Sequence, residues 1–122
     1  VTQGLYLTTR AFLANNRPAL VGYMAAMMRG WKAAAAEPDA AVDLVLSEYG
    51  ADLGLDRDQQ TRQHALQLPL VQPDDSTRLF ALEPDLLTGP MTQVAEAAGR
   101  HVPPLTDFAD TSIVDDALSQ IF

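Results

Sequence analysis

The residue types that most often perform catalysis or bind metal ions are few and widely separated in this sequence. The two histidines, His64 and His101, lie far apart, and neither has a second histidine or a carboxylate at ligand spacing on a helix. The chain contains no cysteine, which excludes thiolate catalysis, disulfides and cysteine zinc sites. We therefore predict no catalytic residue, no metal site and no cofactor, and we do not expect an enzyme.

Acidic pairs and serines do not change this prediction. Two pairs of adjacent carboxylates occur, Asp74–Asp75 and Asp115–Asp116. Adjacent side chains point in different directions on a helix, and no calcium-loop spacing is present, so solvated surface is the favoured interpretation. The serines lack the glycine-flanked turn that exposes a nucleophile, and no glycine-rich loop has the lysine of a phosphate site. The serines in question are Ser47, Ser76, Ser112 and Ser119.

Two aromatic residues are candidates for stacking on a ligand. Tyr6 is the better one, because it lies in a predicted strand followed by Thr8 and Thr9, a suitable edge for a cleft. Packing in a core explains Tyr6 equally well. Trp31 follows Met24, Met27 and Met28 at helical spacing, which favours a core position over a ligand groove.

The segment 4–9 is the only good strand candidate. Leu5 and Leu7 alternate with Tyr6 and Thr8, which is the period of a strand. A single strand cannot satisfy its own backbone hydrogen bonds, and the chain offers only a weak partner at 78–82. We therefore expect the strand to belong to a larger sheet or to pair with a second copy.

Helical spacing dominates the first half of the chain. A short helical turn is predicted at 10–14, and a long helix from Asn15–Asn16–Arg17–Pro18 to about Ala36. One face of this helix carries only small residues, which predicts close packing against another element. This small-residue stripe consists of Gly22, Ala26, Gly30 and Ala33. A second helix is predicted from Asp39 to Gly50.

Proline and glycine punctuate the second half. A third helix starts at a capping box, Asp56 with Gln59, and is predicted to end near Gln67 because Pro69 interrupts it. A fourth helix spans about 83–98 and ends at Gly99. It either kinks at Pro90 or starts near Thr88. Asp110 and Thr111 are predicted to cap a short last helix.

Length and charge restrict the classes of protein. The 122 residues suffice for a single domain, 1–122, of predominantly helical class, with five or six helices and one or two strands. Acidic residues outnumber basic ones 16 to 8, so the net charge is -8. Such a chain repels phosphate backbones, and we expect no nucleic acid partner. No apolar stretch is long enough to span a bilayer.

Four segments resemble, in order, the solute-binding proteins of ABC importers of the NMT1/THI5-like group, which includes sulfonate, taurine and nitrate binders. The first is 4–18, a strand ending in threonine and followed by a turn with Asn and Pro. The second is 20–34, a helix containing Arg29–Gly30–Trp31. The third is 37–42, with Glu37–Pro38–Asp39, and the fourth is 108–118. Arg17 departs from the pattern, since an asparagine commonly precedes the proline.

The resemblance implies a longer protein. Members of the family have two α/β lobes, the type II periplasmic-binding-protein fold, and roughly 300 residues, as expected for two ordinary domains. This chain resembles only their C-terminal third, so 1–122 would be a fragment whose strand pairs with missing strands. Most ligand contacts come from the missing parts. Only Tyr6, Thr8 and Thr9 are carried over as residues that line the cleft.

The expected function is that of an extracytoplasmic protein, periplasmic or a cell-surface lipoprotein, that binds a small polar or anionic solute by lobe closure. It would deliver the solute to an ABC permease. One alternative is a stand-alone helical module that forms a homodimer through the exposed strand or the small-residue stripe. A second alternative is a relative of the thiamin-pyrimidine-precursor synthases.

Overall fold

The computed structural model describes residues 5–72, 79–80 and 84–121. Over these residues the chain forms six helices and no strand, so the predicted mostly-α class is confirmed. The first three are α1 (Arg10–Ala36), α2 (Pro38–Leu44, continued as a π-helix over Val45–Tyr49) and α3 (Arg57–Val71). The others are α4 (Pro84–Leu86, a π-helical Leu87–Met91 and Thr92–Ala97), α5 (Leu105–Phe108) and α6 (Ser112–Leu118).

Helix α1 is two helices joined at the predicted break. The backbone of Asn16 leaves helical geometry, at φ -131° and ψ 24°, and Pro18 then lies in the first turn of the longer part. Proline is tolerated there because the first turn has no helical acceptor for its missing N–H. At the start of α1, the Thr9 hydroxyl accepts a hydrogen bond from the Phe12 N–H at 3.1 Å.

The core lies where α1 packs along α6. Its members are fully or almost fully buried apolar side chains. Burial of each of the larger ones stabilises the fold by roughly 1.5–3 kcal/mol. They are Val21, Met24, Ala25 and Met28 of α1, Leu79, and Ile113 and Ala117 of α6. Helix α2 packs on the other side of α1 and also against α3. No residue of α3 is buried.

Glycines end two helices as predicted. Gly50 ends α2, and a Cβ atom there would lie 2.6 Å from the Cδ1 of Leu55 and 2.9 Å from the carbonyl oxygen of Val45. Gly99 follows α4 in the left-handed region, at φ +72°. The predicted start of α3 is also confirmed, because the Asp56 carboxylate accepts a hydrogen bond from the Gln59 N–H at 2.9 Å.

The predicted strand 4–9 does not form in the described residues. Residues 5–9 are neither helix nor strand, and Gly4 lies outside the described residues. A strand needs a neighbouring backbone to hydrogen-bond. The proposed partner, 78–82, is described only at Leu79 and Phe80, which form a turn with Phe80 at φ 58°. That value is incompatible with a strand.

Two prolines interrupt their helices less than their chemistry predicts. Helix α3 continues through Pro69 to Val71, so its predicted end near Gln67 was wrong. Pro69 deprives only the Ala65 carbonyl of its helical donor, and Ala65 is exposed to water. Helix α4 starts at Pro84 and runs through Pro90, where a π-helical turn accommodates the ring. The predicted start near Thr88 was therefore wrong, since the helix already begins at Pro84.

The small-residue stripe is not covered by another part of the described chain, contrary to the predicted close packing. Its four residues are exposed. A Cβ atom added at Gly22 or Gly30 would meet no atom within 4 Å. The two glycines therefore weaken α1 without a packing contact inside the described chain to offset the cost.

Candidate functional site

Tyr6 belongs to an aromatic patch on the surface of α1, formed by Tyr6, Tyr23 and Phe80. The Tyr6 ring meets Tyr23 edge-on with centroids 5.6 Å apart, and Phe80 at 6.4 Å. Partial burial raises the pKa of Tyr6, and the neighbouring Tyr23 raises it further. The phenol can serve as a hydrogen-bonding group.

The three predicted ligand residues do not share one role in this structure. Tyr6 packs in the aromatic patch, and half of its surface remains exposed. Thr8 is exposed. The Thr9 hydroxyl is engaged as the N-cap of α1. Leu7, which precedes Thr8, is 91% exposed, so the segment before α1 presents apolar side chains to solvent.

A second feature is a groove between α1 and α3, floored by α2, which we call the α1–α3 groove. Its volume is about 380 Å³, within the range of small-molecule pockets. Helix α1 lines it with Ala26, Met27, Gly30, Trp31 and Ala34, and α2 lines it with Ala41, Val42 and Val45. Helix α3 contributes Gln60, Gln63, His64 and Gln67.

Two rings connect α1 to α3 at the groove. Trp31 and His64 are nearly parallel, with an interplanar angle of 10° and centroids 6.2 Å apart. The Nε2 atom of His64 lies 3.1 Å from the carbonyl oxygen of Ala34. Because a carbonyl can only accept, Nε2 carries the hydrogen of this contact, and in that tautomer Nδ1 is the ring's acceptor.

A polar cluster, here called the Arg17 clip, joins α1 to α6. Nη2 of Arg17 donates to Oδ2 of Asp116 at 2.6 Å and to Oγ of Ser112 at 2.9 Å, and its Nη1 lies 3.7 Å from Oδ2 of Asp110. Hydrogen bonds from the Ser112 side chain lower the pKa of Asp110; the Ser112 backbone N–H and Arg17 contribute further. Arg17, Asp110 and Asp116 therefore have a structural role, because their contacts hold α1 against α6.

Within residues 5–72, 79–80 and 84–121, no three His, Asp or Glu side chains come close enough together to hold a metal ion. In the same part of the chain, none of the helices has the length and apolarity needed to cross a membrane. Of the predicted acidic pairs, Asp116 belongs to the Arg17 clip, whereas Asp74 and Asp75 lie outside the described residues.

No protein-family model, curated protein or solved structure matches this chain. The core position predicted for the methionines and Trp31 is confirmed for Met24 and Met28, whereas Met27 and Trp31 line the α1–α3 groove. The contribution of α3 to the groove was not predicted, although one signal was present. Gln60, Gln63, His64 and Gln67 are spaced i, i+3, i+4 and i+7, which places them on one helical face. Polar residues at this spacing ordinarily mark the solvent-facing side of a helix, so the sequence alone does not show that this face lines a groove.

Proposed function

We propose that this chain is the helical C-terminal part of the solute-binding component of an ABC importer. The parent protein is not an enzyme. It lies outside the cytoplasm, captures a small polar or anionic solute by closing its two lobes and passes the solute to a permease. The thiamin-precursor synthase alternative is less favoured, because the sequence contains no recognisable acid–base or nucleophile motif.

The observation that carries the proposal is the apolar surface of residues 5–7 and the aromatic patch behind them. Leu5, Tyr6 and Leu7 are all exposed, directly before α1. In a sheet, such alternating side chains would be covered on both faces, and the backbone would pair with neighbouring strands. An exposed patch of this kind usually marks an interaction surface. The lobe of a two-lobed binding protein would supply both the strands and the cover.

The ordered sequence segments add support of a different kind. Arg29–Gly30–Trp31 lies within α1, and Glu37–Pro38–Asp39 joins α1 to α2. The closing segment 108–118 forms the end of α5 and α6. Three of the four segments, 20–34, 37–42 and 108–118, therefore lie in helices or at helix junctions, whereas the strand implied for 4–18 does not form in the described residues.

The first test is the size of the native gene product, measured by intact-mass spectrometry of protein captured with an antibody against this chain. The proposal expects a product of roughly 300 residues, the size of two domains. A native product of about 13 kDa, the mass of the 122-residue chain, would overturn it.

A second test concerns the solute. In the native protein, we expect taurine or nitrate to raise the melting temperature. Tyr6→Ala should reduce the solute-induced shift, whereas Tyr49→Ala should leave it unchanged. Tyr49 is the matched control because it is an exposed tyrosine in α2, outside the aromatic patch. Equal loss of the shift in both variants would remove Tyr6 from the site.

The homodimer alternative is favoured by one observation, the open space above Gly22 and Gly30. A second α1 helix could approach closely along this face. Sedimentation equilibrium distinguishes the two functions, because this alternative expects a dimer that Gly22→Leu converts to a monomer. A concentration-independent monomer would exclude it.

A further inference from the structure

Helix α3 lines the α1–α3 groove with a polar face, on which Gln60 and His64 are half-buried and Gln63 and Gln67 remain exposed. Its residues at i, i+3, i+4 and i+7 line the α1–α3 groove, where a packed helix ordinarily places apolar side chains. These residues are Gln60, Gln63, His64 and Gln67. Two leucines of the same helix, Leu66 and Leu70, are instead 69% and 66% exposed. The inward face is therefore not built for core packing.

Three of the five α1 residues that line the groove are small, which helps to keep it open. Ala26, Gly30 and Ala34 line the α1 side, and a Cβ atom at Gly30 would meet nothing within 4 Å. Across the opening, α3 buries no residue. A space of about 380 Å³ is left between the two helices. A space of this size, lined mainly by apolar atoms with a few polar groups, has the composition of a small-molecule site.

The lining selects a neutral ligand. The chain has 24 acidic and basic residues, from the counts of 16 and 8, yet none of the twelve lining residues is Asp, Glu, Lys or Arg. A charged ligand would lose its hydration there without gaining an ionic partner. Trp31 and His64 already stack on each other at the groove, and a planar ring can extend that stack, since aromatic rings stack on one another.

The three glutamines supply the hydrogen bonds. A side-chain amide both donates and accepts, and Nδ1 of His64 adds an acceptor. Among the described residues, none forms a hydrogen bond with the side-chain amides of Gln60, Gln63 or Gln67. These amides are therefore available to a ligand that itself carries donors and acceptors.

We propose that the α1–α3 groove binds a small, neutral, planar heteroaromatic molecule that carries amide-type hydrogen-bonding groups. The site is separate from Tyr6, Thr8 and Thr9, and it does not depend on the importer function. Trp31 supplies the stacking surface, and the inward face of α3 supplies the polar contacts.

Trp31 is the single tryptophan of the chain, so its fluorescence reports directly on the groove. The probe is nicotinamide, with nicotinate and 1-methylnicotinamide as anionic and cationic analogues of similar shape. Because small ligands of this size bind weakly, we expect a dissociation constant of about 1 mM for nicotinamide. We expect both charged analogues to bind at least about fivefold more weakly. Testing both an anion and a cation distinguishes the effect of the uncharged groove lining from attraction or repulsion by the net negative charge of the chain.

Two glycine variants locate the site. Gly30→Leu places a side chain in the groove and should weaken nicotinamide binding at least about tenfold. Gly22→Leu is the matched control, since Gly22 lies in the same helix, is equally open and does not line the groove. On α3, Gln63→Leu alters a residue that lines the groove and should weaken nicotinamide binding. Gln59→Leu is its control, since Gln59 does not line the groove. Circular dichroism of each variant verifies that the helices are retained.

The proposal is overturned if Trp31 fluorescence and the amide resonances of the groove do not respond to nicotinamide, benzamide or uracil at about 10 mM. Equal binding of the charged analogues would also overturn it. So would equal weakening by Gly30→Leu and Gly22→Leu, because binding would then lie elsewhere.

Discussion

Replacing Arg17 by methionine tests how α6 is held against α1. Methionine retains an unbranched apolar stem and removes the guanidinium group, so the change isolates the polar contacts. Arg17 has two hydrogen bonds, to Asp116 at 2.6 Å and to Ser112 at 2.9 Å, and a longer ionic contact with Asp110. It lies between the kink at Asn16 and the core part of α1. Its loss should loosen the whole α1–α6 contact.

The magnitude follows from the exposure of the clip. Hydrogen bonds to charged groups contribute about 1.5–3 kcal/mol when well shielded. Here the side chains of Arg17 and its two acidic partners are 37–53% exposed, so solvent screens the attraction. Exposed pairs contribute about 0.2–1 kcal/mol each. For the three contacts together we expect Arg17→Met to lower the free energy of unfolding by about 1–2 kcal/mol.

The assay is urea unfolding followed by circular dichroism, with Arg29→Met as the matched control. Arg29 lies exposed in the same helix and, among the described residues, forms no ion pair. The control should change the free energy of unfolding by less than about 0.5 kcal/mol. Equal effects of the two substitutions would refute the role of the clip, because loss of a charge at any position of α1 would then explain the result.

The same clip predicts a dependence on pH. The pKa of Asp110 is lowered from its ordinary value of 3.8 in the folded chain, first by the Ser112 side chain and also by Arg17. The stabilisation from its carboxylate is therefore present above pH 3.8 and is lost as the pH falls through the lowered pKa. Asp110→Asn should be less stable than the wild type at neutral pH, and the difference should shrink in acid. A difference that is constant with pH would contradict the assignment.

Three further substitutions test the core, a cap and the open helix face by urea unfolding. Met28→Ala removes a fully buried side chain and should cost about 2–5 kcal/mol, more than Met27→Ala at the edge of the groove. A smaller cost at Met28 would refute the assigned core. Asp56→Ala removes the N-cap of α3 and should lower the free energy of unfolding by about 1 kcal/mol. Asp58→Ala, its control, should lower it by less. Gly22→Ala should stabilise by up to about 1 kcal/mol because its Cβ meets no atom, and destabilisation would indicate a packed partner on this face.

Local sequence rules predicted most helix boundaries. The break at Asn16, the cap at Asp56 and the terminating Gly50 and Gly99 were all predicted, and the structure confirms them. These features depend on residues within a few positions of one another. The backbone conformation of glycine and the capping of an N–H by a nearby carboxylate need no tertiary partner.

Predictions that depended on a contact between distant segments of the chain were wrong. The strand at 4–9 needed a second strand, and the described residues do not supply one. The small-residue stripe predicted a packed contact, but the space above Gly22 and Gly30 is open. Helix α3 passes Pro69 because the deprived carbonyl is exposed to water, a fact of tertiary position.

The sequence by itself therefore determined the helical class and the helix starts and ends that depend on a nearby cap or glycine, because these follow from local chemistry. Only the tertiary structure decided which faces meet. It brought Arg17 to Asp110 and Asp116, and it placed His64 of α3 against Trp31 of α1. The physical reason is that contacts between distant residues depend on how helices pack. Packing is governed by the summed burial of many side chains rather than by any one spacing in the sequence.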